Sequence, residues 1–102
     1  RGSIISPSTV NGVVGLRPLA EGICEMKRLY VRPAYRGGGL GRRLAEAIVA
    51  AGRARGYAAM RLDTIPSMAA AIELYRVLGF RPIPAYTHNP VPGALFFEMA
   101  LG

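Results

Sequence analysis

A chain of 102 residues closes a single hydrophobic core, so one domain is expected and no second functional module. Its apolar fraction of 51% excludes a disordered chain, and no apolar run reaches the roughly 18 to 20 residues that cross a bilayer. The formal net charge of +7 calls for an anionic partner; because the arginines are scattered and never form a run of five or six, nucleic acid is not the expected one.

Lys27 is the only lysine and Cys24 the only cysteine, so no internal disulfide can form. With no secretory pattern at the start, a soluble protein of the reducing cytoplasm is expected. In chain order, two short strands are predicted at 4–5 and Val13 to Leu19 around an Asn11-Gly12 turn, a dipeptide that accepts positive backbone angles. A stronger strand runs from Ile23 to Val31 and ends at Arg32-Pro33; simple alternation places Glu25, Lys27, Leu29 and Val31 on one face.

Leu40, Leu44, Ala47, Ile48 and Ala51 recur at helical spacing, with Gly52 weakening that helix and Gly56 finishing it. A strand from Tyr57 to Asp63 follows. Pro66-Ser67 offers a second helix start, Met68, Ala71, Ile72, Tyr75 and Leu78 make its apolar stripe, and Gly79 stops it. Phe80 to Ile83 reads as a short strand, the prolines 82, 84, 90 and 92 as an irregular stretch, and Leu95 to Leu101 as a closing strand. This order predicts an α/β domain: a twisted, mixed but mostly antiparallel sheet with two packed helices.

The segment Arg36-Gly37-Gly38-Gly39-Leu40-Gly41 lies between a strand and a helix. Backbone N–H groups at the positive end of a helix dipole, unshielded by Cβ atoms and flanked by Arg36, Arg42 and Arg43, suit a phosphate. The alternative is a connecting turn. A P-loop is excluded because Gly41 is followed by Arg42-Arg43 rather than Lys and Ser or Thr, and the G-x-G-x-x-G spacing of dinucleotide folds is not met.

The pattern R-x-x-G-x-G, carried by Arg36, Gly39 and Gly41 after a strand ending Leu29-Tyr30-Val31, resembles the GNAT superfamily of acetyl-coenzyme A dependent N-acyltransferases. The run Ala71-Ile72-Glu73-Leu74-Tyr75-Arg76-Val77-Leu78-Gly79-Phe80 resembles a second motif of that family, A-x-x-L-Y-x-x-x-G-F, in the same order. The resemblance covers roughly Val13 to Leu101, most of the chain.

The resemblance implies acetyl-coenzyme A as cosubstrate, no metal, and a primary amine as acceptor attacked directly in a ternary complex. It implies that the backbone of Leu29, Tyr30 and Val31 holds the pantetheine arm and that Arg36, Gly37, Gly38, Gly39, Leu40, Gly41 and Arg42 hold the pyrophosphate. The family's asparagine on the second helix is replaced by Met68, leaving the neighbouring Ser67 as the polar candidate for that contact. Tyr75 corresponds to the general acid for the departing thiolate; its other reading is a stripe residue packed on the core.

Glu25 lies on the strand where many members place a general base. The need is real, since a lysine-like amine is neutral at pH 7 in only about one molecule in two thousand, a penalty of about 4 to 5 kcal/mol. Its alternatives are a carboxylate paired with Lys27 or Arg28, with solvent taking the proton. Cys24 reads as a small strand residue, and Tyr86 and His88 lie on a loop that could border the acceptor.

Relative to the family the chain is short at its start, lacking a strand and two helices, so an uncovered apolar flank and pairing between two copies are expected. Two further readings stay open: a coenzyme A binding module without catalysis, and a nucleic-acid binder whose affinity would fall steeply with salt.

Overall fold

The computed structural model describes residues 8–9, 12–32, 34 and 37–102. The strand predicted at 4–5, Asn11 of the predicted turn, and Arg36 lie outside them. Among the described residues six strands, β1 Ser8–Thr9, β2 Gly12–Ala20, β3 Ile23–Val31, β4 Ala59–Thr64, β5 Arg81–Pro82 and β6 Leu95–Ala100, form one sheet in the order β1-β2-β3-β4-β6-β5. Of these strands β3 and β4 alone run parallel, and the helix α1, Leu40–Ala54, lies between them in the chain; α2, Ala69–Leu78, follows β4. A parallel pair needs such a crossover, whereas the antiparallel neighbours close with short turns.

The mixed, mostly antiparallel sheet with two helices agrees with the sequence reading. Both helices pack on the same face. Leu16, Cys24, Met26, Met60, Leu62 and Phe97 point toward them and join Leu44, Ile48, Tyr75 and Phe80 in one buried cluster. Alternation in β4 is regular, with Met60, Leu62 and Thr64 buried and Arg61 and Asp63 turned to the other side.

Three local expectations are corrected. In β3 the pairing jumps from Lys27↔Gly15 to Tyr30↔Val13, so Arg28 and Leu29 stand opposite the single Val14. That bulge adds one residue and reverses the facing thereafter. Glu25 and Lys27 therefore face away from the helices, whereas Leu29 and Val31 pack on the core, with Val31 Cγ2 beside Gly41 of α1.

In α1 the buried residues are Leu44, Ala45, Ile48, Val49 and Gly52, while Ala47 is exposed. Gly52 fixes this rotation: a Cβ there would meet Leu101 Cδ1 at 3.0 Å, Met60 Cε at 3.1 Å and Cys24 Sγ at 3.3 Å. α2 begins at Ala69 rather than at Pro66-Ser67, which form a turn, and it ends as expected at Gly79, whose φ is +107°.

Candidate functional site

Pairing of β3 with β4 covers Ile23↔Ala59, Cys24↔Met60 and Glu25↔Arg61 and goes no further. Beyond Glu25 the two parallel strands part, and a cleft of about 320 Å³ opens between the end of β3 and the start of α2. Leu29, Tyr30 and Val31 form one wall, Gly37 and Gly41 one end, and Ser67, Met68, Ala69, Ala70, Ala71 and Leu74 the other wall.

Two helix starts thus meet at one cleft, and their amino-terminal ends carry the positive side of the helix dipole. Neither has a side-chain cap among the described residues, and neither has an acidic residue in its first turn. In α1 the first helical bond runs from Arg43 N to Gly39 O (3.0 Å), and in α2 from Ile72 N to Met68 O (2.9 Å). The N–H groups before these have no carbonyl within the helix to bind. Gly37 and Gly39 take φ of +89° and +84°, which only glycine adopts without strain, and this turns the chain into α1.

Of the sequence-predicted cofactor residues, the structure brings Leu29, Tyr30, Val31, Gly37, Gly41 and Ser67 to this cleft. Gly38, Gly39 and Leu40 lie on the turn and the first residue of α1 beside it, and Arg36 lies outside the described residues. Arg42 is exposed and bonds Glu46 one turn on, Nε to Oε2 at 3.0 Å. The sequence reading missed Met68, Ala69, Ala70, Ala71 and Leu74 as lining. For Ala69 and Ala70 the signal was present as small residues just ahead of the A-x-x-L-Y motif, which would let a ligand approach α2 closely, and Leu74 is a residue of that motif.

Tyr75 is 6% exposed and sits behind this wall, edge-on to Phe80 (ring centroids 5.8 Å) and tilted against Phe97 (6.3 Å). Burial, with the nearby Asp63 charge adding to it, pushes its phenol up to about 12. Cys24 is buried; its Sγ points at Ala59 O (3.6 Å), and desolvation pushes the thiol up to about 11.

Glu25 lies on the opposite face of the sheet. Its register neighbours continue a row of alternating charge across five strands, Arg17↔Glu25↔Arg61↔Glu98↔Arg81. Arg17 Nε meets Glu25 Oε1 at 2.9 Å, and Arg61 Nε meets Glu98 Oε1 at 2.7 Å. Glu25 Oε2 accepts the Tyr86 hydroxyl at 2.7 Å and lies 3.5 Å from Lys27 Nζ, which is also 3.6 Å from Asp63 Oδ1. The paired-carboxylate reading thus holds with Lys27, and Arg17 and Tyr86 are partners the sequence did not suggest.

The Tyr86 phenol is driven upward by burial first and then by its bond to Glu25. His88 is exposed. No group of three or more metal-ligating side chains is found among the described residues, and no helix among them is long and apolar enough to cross a membrane.

Comparison with known proteins places this geometry. The model of the Acetyltransferase (GNAT) family matches residues 6–80. An uncharacterized N-acetyltransferase of Schizosaccharomyces pombe is 39% identical over 94 residues, covering 91% of this chain and 58% of its own length. Among solved structures, a candidate acyl-CoA N-acyltransferase from Klebsiella pneumoniae superposes with a TM-score of 0.83 at 35% identity, over 90% of this chain and 64% of the other. The yncA protein of Salmonella typhimurium, solved with its cofactor acetyl-CoA, superposes with a TM-score of 0.72 at 26% identity, over 92% and 60%. The chain therefore spans about three-fifths of the length of these relatives.

Proposed function

Because the chain belongs to the acetyltransferase (GNAT) family, we propose that it binds acetyl-coenzyme A in the cleft between β3 and α2 and transfers the acetyl group to a primary amine. The observation that carries this reading is the convergence of two uncapped helix starts and a parting strand on one cleft. The residues fit the cosubstrate. The N–H groups of Leu40, Gly41 and Arg42 would face the pyrophosphate, with Arg43 adding charge, and the apolar walls Val31, Ala71 and Leu74 suit the pantetheine arm.

In the transfer the amine nitrogen bonds the acetyl carbon while the carbon–sulfur bond breaks and its electron pair leaves on sulfur. Backbone N–H at the β3 bulge, near Leu29, would polarise the thioester carbonyl. Tyr75 donates its proton to the sulfur and is reprotonated from solvent, which also receives the proton of the amine, because Glu25 is buried and does not line the cleft. A phenol near 12 facing a thiol near 8.5 leaves a gap of about 5 kcal/mol at equilibrium. Donation as the carbon–sulfur bond breaks avoids building up a free thiolate.

Tyr75→Phe is expected to lower turnover by about 100-fold or more with little change in coenzyme A affinity, measured as thiol release over an amine panel beside calorimetric titration. Unchanged turnover removes Tyr75 as the acid. A second reading, binding without transfer, is favoured by the position of Tyr75 behind the cleft wall rather than in it. Tight binding with no thiol release from any amine would select that reading.

A further inference from the structure

The face of the sheet away from the helices is crossed by the irregular segment 84–92, and that segment is held by side chains rather than by sheet pairing. Tyr86 reaches down to Glu25 Oε2 (2.7 Å), its ring lies edge-on to Phe96 (centroids 5.4 Å), and the Arg61 guanidinium sits 5.3 Å from its centre. Three residues on, Asn89 Nδ2 donates to Asp63 Oδ2 at 3.0 Å, while its Oδ1 accepts from Val91 N at 3.0 Å. Lys27 stands between the two carboxylates, 3.5 Å from one and 3.6 Å from the other. Where the segment leaves, Gly93 takes φ of +77° and a Cβ there would come within 3.1 Å of Pro66 Cγ, so its end packs against the turn before α2.

Glu25 is the centre of this arrangement. Its side chain is 2% exposed, its Oε1 is taken by Arg17 and its Oε2 by Tyr86 and Lys27, and it is not among the residues lining the cleft. A proton acceptor needs a path to the amine, and this carboxylate, buried and engaged at both oxygens, does not line the cleft.

We propose that Glu25 is a positioning residue: its carboxylate, with Asp63 as a second point bridged through Lys27, anchors segment 84–92 so that this segment forms a fixed wall for the acceptor amine. Removing the anchor frees the wall and weakens amine binding rather than the chemical step. The kinetic part of this inference rests on the proposed acetyl transfer; the anchoring part does not.

The experiment compares Tyr86→Phe, Glu25→Ala, Glu25→Gln and the Tyr86→Phe, Glu25→Ala pair by amide hydrogen exchange of the unliganded protein, with β4 and β6 amides reporting global opening. Tyr86→Phe and Glu25→Ala are each expected to speed exchange across 84–92 by about fivefold or more, the pair no further than either alone. Glu25→Gln, which keeps an oxygen to accept the Tyr86 hydroxyl, retains most of the protection.

In steady-state transfer, Tyr86→Phe and Glu25→Ala raise KM for the amine with kcat within a few-fold and an unchanged pH profile. Unaltered exchange in both single variants overturns the anchor. So does a loss of kcat in Glu25→Gln of about 100-fold or more, together with its acid limb, while Tyr86→Phe behaves as wild type, since that makes Glu25 the base. If no amine is turned over, the transfer reading fails and the exchange data alone decide the anchor.

Discussion

Tyr75, the proposed acid, joins stability to that proposal in a single hydroxyl. Held above its ordinary range mainly by burial, it keeps its proton well past neutrality, as a donor must. The same shift has a cost at high pH. The unfolded chain sheds this proton near 10 and the folded one near 12, so the stabilising preference is intact below 10 and is lost as pH rises through 12. Cys24, up to about 11 from 9.0, acts in the same sense over a lower window. In Tyr75→Phe the ring contacts with Phe80 and Phe97 remain while the titration disappears. Urea midpoints at pH 8 and pH 11 should show the variant losing about 1 to 1.5 kcal/mol less than the parent across that interval. Parallel losses would mean that Tyr75 ionises as readily folded as unfolded.

At the scale of the elements, turns and helix ends were legible because single residues dictate them, whereas facing was not. Gly79 ends α2 at a φ of +107°, and the sequence named it. Alanine there takes a conformation L-residues avoid and crowds Met99 Cε at 3.3 Å, so Gly79→Ala is expected to cost about 1 to 2 kcal/mol in denaturant unfolding. Gly52 was read as a weak point in α1, yet it is the place where the helix touches β3, β4 and the chain end.

With alanines at 45, 47, 50 and 51 the apolar pattern of α1 fits more than one rotation, and the close contact at Gly52 favours the one that buries Leu44, Ile48 and Val49. Gly52→Val should therefore overpack by about 1 to 3 kcal/mol, despite valine's better helix propensity. A thermal midpoint equal to the parent's would show that Leu101 and Met60 simply move aside. The bulge in β3 was unreadable for a related reason: alternation assumes one residue per step, and nothing in Lys27-Arg28-Leu29 marks the extra one.

Across the whole molecule, the sheet separates two tasks. The helix face builds the core and opens the cleft at its edge, where the glycine turn and the A-x-x-L-Y helix had located it in the sequence. The opposite face carries the charge row and the anchored segment, which no motif announced because its partners, Arg17, Glu25, Lys27, Asp63, Tyr86 and Asn89, are far apart in the chain and meet only through strand register. The proposed acetyl transfer depends on the cleft between β3 and α2 receiving acetyl-coenzyme A. Titration of the isotope-labelled chain with coenzyme A, followed by amide chemical shifts, tests it directly. Saturable changes centred on Leu29, Val31, Gly37, Gly41 and Ala69 to Ala71 are expected. Changes confined to the charged face around Arg17, Arg61 and Arg81, or none at millimolar ligand, would contradict it.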